Sequence, residues 1–234
     1  MNSLLIRNLI MIVIYSTLVG VPVSSYTQGS IYTFRAGPTL AMQRWNGVGN
    51  NSPLIAYHAV VGVESYEPDK PIAFIAELGY HLRGMSQRTQ PYRDDNGIDY
   101  PAQSIQNKFH NLGLSLGARK NFGDNDRFFY LLALRGEYTL AFKLSQNFVG
   151  FDRYVRRFNY GLDVGGGVQF PLGVHMGFVQ VMFQPDASKQ IYSQPFYGYD
   201  YQGNPRTYPE QKVFNYSFEL SVGLRILGNA ESEE

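Results

Sequence analysis

Eight stretches of this chain alternate apolar and polar side chains with a period of two, and this pattern restricts the fold more than any other feature. Successive side chains of a strand point to opposite faces, whereas helical apolar residues recur every three or four positions. In the first stretch Phe34, Ala36, Pro38, Leu40 and Met42 share one parity, and Thr33, Arg35, Gly37, Thr39 and Gln43 the other. The second sets Ile55, Tyr57, Ala59, Val61 and Val63 against His58, Gly62 and Glu64. In the third, Ile72, Phe74, Ala76, Leu78, Tyr80 and Leu82 oppose Glu77, Gly79, His81 and Arg83. The fourth opposes Leu112, Leu114, Leu116 and Ala118 to Asn111, Gly113, Ser115, Gly117 and Arg119. In the fifth, an apolar face from Phe128 to Phe142 stands against Arg135, Glu137, Thr139 and Lys143. The sixth opposes Phe158 to Phe170 to a Gly-rich face holding Asp163 and Gln169. The seventh is irregular, because Phe178 and Met182 interrupt the polar parity. The eighth is cleanest, with Phe214 to Ile226 against Asn215, Ser217, Glu219, Ser221, Gly223 and Arg225.

These stretches match a tilted bilayer-crossing strand, which needs roughly 9–11 residues, and exceed the roughly 5–6 residues of a soluble strand. Aromatic residues cluster near their ends, as an interfacial girdle requires. Short connections at 67–71, 123–126 and 171–173 carry Gly, Pro, Asn and Asp turn chemistry. They alternate with long ones at about 44–53, 86–108, 144–155 and 186–212. The pattern predicts an all-β, eight-stranded antiparallel up-and-down transmembrane β-barrel over 26–227, with short periplasmic turns and longer external loops.

The N-terminus has a different character. Arg7, an apolar run at 9–21 and the small residues of 22–25 have the layout of a secretory signal peptide over 1–25, cleaved before Tyr26. A retained anchor helix is the alternative. Residues 228–234 read as an acidic periplasmic tail. Localisation in the outer membrane of a Gram-negative bacterium follows. Net charge is only +1, which implies no nucleic-acid partner. Cysteine is absent, so disulfides, thiolate metal sites and a lipid-modified N-terminal Cys are excluded.

The polar face becomes the interior. Its ionisable residues are Arg35, Arg83, Arg119, Arg135 and Arg225 against Glu64, Glu77, Glu137, Asp163 and Glu219, with His58 and His81 beside them. An eight-stranded barrel is only wide enough for side chains to fill it, and buried charges must be paired. The balanced set predicts an ion-pair core rather than an ion-selective pore, with Gly161, Gly165 and Gly167 leaving room for long side chains. A narrow pore for small solutes and a lipid-modifying enzyme using His110 with Ser104 or Ser86 are the alternatives. No His spacing suggests a metal, and no cofactor is expected. The last long loop is rich in aromatics, and Tyr192, Phe196, Tyr197, Tyr199, Tyr201 and Tyr208 form a candidate external recognition surface.

Five segments resemble the outer membrane protein beta-barrel domain of Bacteroidota, the group that includes PorT-like proteins. They are TFRAGPTL at 33–40, IAELGY at 75–80, FYLLALRGEY at 129–138, YGLDVGGGV at 160–168 and FELSVGLRI at 218–226. Where many members carry an Ile-Pro-Leu core in the fourth strand, this chain has LGLSL at 112–116. The filled interior points to a structural or interaction role, and the resemblance implies a possible part in a secretion or envelope assembly. Outer-membrane lipid, the outer-membrane insertion machinery and envelope proteins are the expected partners.

Overall fold

The computed structural model describes residues 29–46, 51–66, 72–88, 90–94, 97–199 and 204–227. The expected signal peptide at 1–25 and acidic tail at 228–234 lie outside the described residues, as does the connection at 67–71. Eight long strands make up the architecture: β1 (Gly29–Trp45), β2 (Leu54–Tyr66), β3 (Ile72–Arg88), β4 (Ser104–Phe122), β5 (Phe128–Lys143), β6 (Phe158–Leu172), β7 (His175–Pro185) and β8 (Gln211–Leu227). Each pairs antiparallel with its sequence neighbour, and β1 closes the ring on β8 from Ile31↔Leu227 to Trp45↔Val213. Among the described residues no helix is long and apolar enough to cross a membrane.

The period-two pattern sets the sidedness. On β8, Val222 is 63% exposed and its neighbour Ser221 is fully buried. Ile55, Phe74, Leu116, Leu132, Leu134 and Leu220 extend the exposed apolar surface around the ring. Aromatics mark both edges of this band. Near the long loops, register aligns Tyr80, Leu112, Tyr138 and Phe158 across four strands. Phe122, Phe128 and Tyr130 group near the short turns.

The strands outrun the bilayer. Seventeen residues in β1, β3 or β8 span about 56 Å at ~3.3 Å per residue. At a tilt of ~40° they rise about 43 Å, against an apolar band of about 25 Å. The excess lies at the long-loop end and forms a rim above the membrane.

Four sequence expectations need correction. Leu82, placed on the lipid face, is buried against Leu54, Ala56 and Ala41. The β2–β3 ladder stops at His58↔His81 and resumes at Ser52↔Ser86, one residue out of step, while β3 keeps its register on β4 through Leu82↔His110, so Leu82 is buried at the break in pairing without changing parity. Similarly, β4 and β5 change register between His110 and Asn111. Phe142 therefore stacks on the buried Phe109, while Lys143 leaves the interior face and opposes Lys108 outside. The 186–212 connection contains Ile191–Ser193, paired with β8, and a hairpin of Phe196–Tyr199 with Pro205–Tyr208. Lastly, Gln146–Tyr154 forms 3₁₀ turns in the 144–155 connection.

Candidate functional site

The barrel interior is a stack of polar layers, with the inward residues of β8 as its rungs. At the short-turn end Arg225 and Arg119 share Glu64, at 2.6 and 3.1 Å. Both also donate to Gln169 Oε1, and the Arg119 guanidinium lies 3.7 Å from the Phe129 ring centroid. An aromatic face there substitutes for part of the lost hydration.

In the next layer Arg35 binds Glu77 at 2.8 Å and approaches Glu219 at 3.7 Å. His81 Nδ1 lies 2.7 Å from Glu219 Oε1. The His58 ring is held from both sides, by Thr39 Oγ1 at 2.9 Å and Ser221 Oγ at 2.7 Å. It runs nearly parallel to the His81 ring, 6.1 Å away.

Above this, Arg83 donates to Glu137 at 2.6 Å, to Gln184 at 2.8 Å and to the Ser217 hydroxyl. Arg135 binds Asp163 at 2.6 Å and Asp186 at 2.5 Å, and its Nε lies 3.1 Å from Glu137. Asn111 and Ser115 occupy further oxygens of Glu137 and Asp163. A final polar layer joins Gln43, Asn215, Gln190 and Asn159 by side-chain hydrogen bonds.

Thus the structure brings Arg35, Glu64, Glu77, Arg83, Arg119, Arg135, Glu137, Asp163, Glu219 and Arg225 into contiguous buried ion pairs. Sequence reasoning missed Asp186, read as the first residue of a loop. It pairs with Gly161 as an isolated bridge and so turns into the lumen. Also unanticipated was an apolar side to the interior. Phe178 and Met182, which disturbed the seventh stretch, point inward, and Met182 packs with Ile75, Leu131 and Ala133. The glycines serve both kinds of neighbour. A Cβ on Gly161 would meet Arg135 Nη2 at 2.9 Å, whereas one on Gly165 would meet Met182 Sδ at 2.3 Å.

Over the polar stack sits an apolar plug. Trp45, Met85, Phe109, Phe148, Ile191 and Val213 form one buried cluster at the long-loop end. Phe148 and Phe151 from the 3₁₀ segment pack on Trp45 at centroid distances of 4.5 and 5.5 Å. Trp45 Nε1 donates to Gln211 Oε1 at 2.9 Å, so its one polar atom is satisfied. Projection of the strands beyond the membrane makes room for this second core.

Outside the barrel the proposed catalytic partners do not converge. Ser86 and Ser104 hydroxyls lie 3.1 Å apart, but His110 stands six residues along the same strand from Ser104, about 20 Å away. The His110 ring is held by the Tyr80 hydroxyl at 2.6 Å. Among the described residues no cluster of His, Asp or Glu is arranged to hold a metal. In the aromatic loop, Tyr192 is half-buried beneath Lys189 and Arg156, while Phe196 and Tyr197 are exposed. The backbones of Tyr199 and Tyr208 close the hairpin; Tyr201 lies outside the described residues.

Comparison with known proteins bears on this geometry. The family described as "Outer membrane protein beta-barrel domain" matches residues 15–184. No curated protein matches the chain. Among solved structures, Neisserial surface protein A is 13% identical, covering 83% of this chain and 96% of that one, with a TM-score of 0.42. OprG from Pseudomonas aeruginosa is 10% identical over 85% and 97%, with a TM-score of 0.44. Ail of Yersinia pestis, crystallised with the heparin analogue sucrose octasulfate, is 15% identical over 85% and 99%, with a TM-score of 0.39.

Proposed function

Because the chain belongs to the outer membrane protein beta-barrel domain family and lies in the Gram-negative outer membrane, we propose that it is a closed barrel that acts at its outer end as a structural or interaction component of the envelope. The carrying observation is the double closure of the lumen. Paired charges fill its length, and an aromatic plug covers its outer mouth. A conducting path through this stack would require rupture of buried ion pairs, each worth several kcal/mol once one partner is withdrawn.

Reconstitution into planar bilayers tests the reading. Purified barrel should give no steady single-channel steps, and reproducible steps from heat-sensitive, folded protein would overturn it. The finer reading, a PorT-like member from Bacteroidota working in a secretion or envelope assembly, rests on the strand segments at 33–40, 160–168 and 218–226. Deletion of the gene in the native host should diminish secreted protein if that role holds. Outer-membrane lipid, the insertion machinery and envelope proteins remain the proposed partners, with residues 1–25 as the export signal.

A further inference from the structure

Net charge of +1 conceals a separation along the barrel axis. The segments on the long-loop side (44–53, 86–108, 141–157 and 187–212) hold eleven basic and six acidic residues. At the opposite end, the short turn between β4 and β5 carries Asp124 and Asp126 against Arg127. Some rim cations are already neutralised. Lys212 lies 2.5 Å from Glu210, and Arg93 lies 2.9 Å from Asp99.

A different arrangement occurs on the outer wall of β4–β6. Lys108 and Lys143 are direct cross-strand partners, and among the described residues neither forms an ion pair. Like charges in this position repel. His110, two residues below Lys108 on the same face, opposes Ala141. Arg157 donates to the Thr139 and Leu140 carbonyls at 2.9 Å each, where β5 changes register, and its guanidinium lies 5.2 Å from the ring centroid of Phe142, a side chain of the face opposite to Lys143.

Height is the second observation. Lys108 lies four residues above Leu112, which shares the aromatic row of Tyr80, Tyr138 and Phe158. Four residues are about 13 Å along a strand and about 10 Å along the axis at ~40° tilt. Aromatic belts sit at the membrane–water interface, so the two lysines stand at the level of the charged groups of the outer leaflet.

We propose that Lys108 and Lys143, with His110 below them on the same face, form a binding site for the phosphate of a phosphorylated outer-leaflet glycolipid. The lipid's acyl chains would lie on the apolar wall below, and its phosphate would relieve the repulsion between the two ammonium groups. Basic residues near a membrane surface attract anionic headgroups additively. The proposal rests on the long loops facing outward, and conductance plays no part in its readout.

The test is native mass spectrometry of the full chain from three vesicle types: phosphatidylcholine alone, with lipid A, and with dephosphorylated lipid A. Wild type should retain lipid A in preference to the dephosphorylated form. The Lys108→Gln/Lys143→Gln variant should lose that preference by about 10–30-fold, and Lys108→Arg/Lys143→Arg should restore most of it. Boiled and unboiled gel migration confirms that each variant is folded. Equal retention of the two lipid A forms, or undiminished retention by the double Gln variant, would overturn the assignment. So would displacement of lipid A by millimolar inorganic phosphate, since the site would then recognise the free anion rather than the lipid.

Discussion

Glu64 is the sharpest place to probe the interior, because one carboxylate serves two guanidinium groups. Its oxygens lie 3.1 Å from Arg119 and 2.6 Å from Arg225, and all three residues are buried. Glu64→Gln keeps the shape but removes the one negative charge that, among the described residues, pairs directly with both cations. Withdrawal of one partner from a buried pair costs about 3–5 kcal/mol, or two to more than three orders of magnitude in the folding equilibrium at about 1.4 kcal/mol per tenfold. With a urea slope of about 2–3 kcal/mol per molar, the midpoint should fall by about 1–2.5 M. Arg225→Met is the informative contrast. It leaves Glu64 and Gln169 on Arg119, so its cost should stay near that of an ordinary hydrogen bond, about 1 kcal/mol. Urea unfolding in lipid vesicles, read by the fluorescence of Trp45 and by gel migration, measures both; Trp45 is the only tryptophan in the chain. If the two variants shifted equally, or Glu64→Gln shifted by less than about 0.5 kcal/mol, the interior would be hydrated and the dry ion-pair account wrong.

Three further outcomes follow from the geometry. The chain has no native cysteine, so single cysteines report cleanly; Val222→Cys should react with a bilayer-dissolved maleimide and Ser221→Cys should not, and the reverse would invert the barrel's sidedness. Phe148→Ala should cost about 3–5 kcal/mol and shift Trp45 emission to the red, because Phe148 covers that indole, with bilayers staying silent since the polar layers beneath remain; an unchanged emission would place Trp45 outside any plug. Gly167→Val should abolish the heat-modifiable folded band, since a Cβ there would lie 2.1 Å from the Val179 carbonyl oxygen, whereas Gly136→Ala, with nothing nearer than 3.6 Å, should fold normally.

The alternation from Phe214 to Arg225 was sufficient to place each of those side chains, because a strand of one parity exposed to lipid leaves no freedom to the other. The same logic places ten charged residues on the interior face, where all are buried. It faltered where register, not composition, decides a side chain's direction. Lys143 and Phe142 exchange faces at the β4–β5 register shift, and Leu82 is buried where the β2–β3 pairing breaks and resumes one residue out of step. A shift of this kind depends on the partner strand, which the local sequence does not contain.

Chain order and side-chain polarity alone therefore determine the number of strands, most of their lipid-facing surface and ten of the interior charges. The tertiary structure decided the rest: which Arg meets which carboxylate, the recruitment of Asp186 into the lumen, and the closing of the mouth by Trp45, Phe148 and Ile191. These depend on ring closure, which brings β1 beside β8 and so sets residues more than 150 positions apart, such as Glu64 and Arg225, within 2.6 Å.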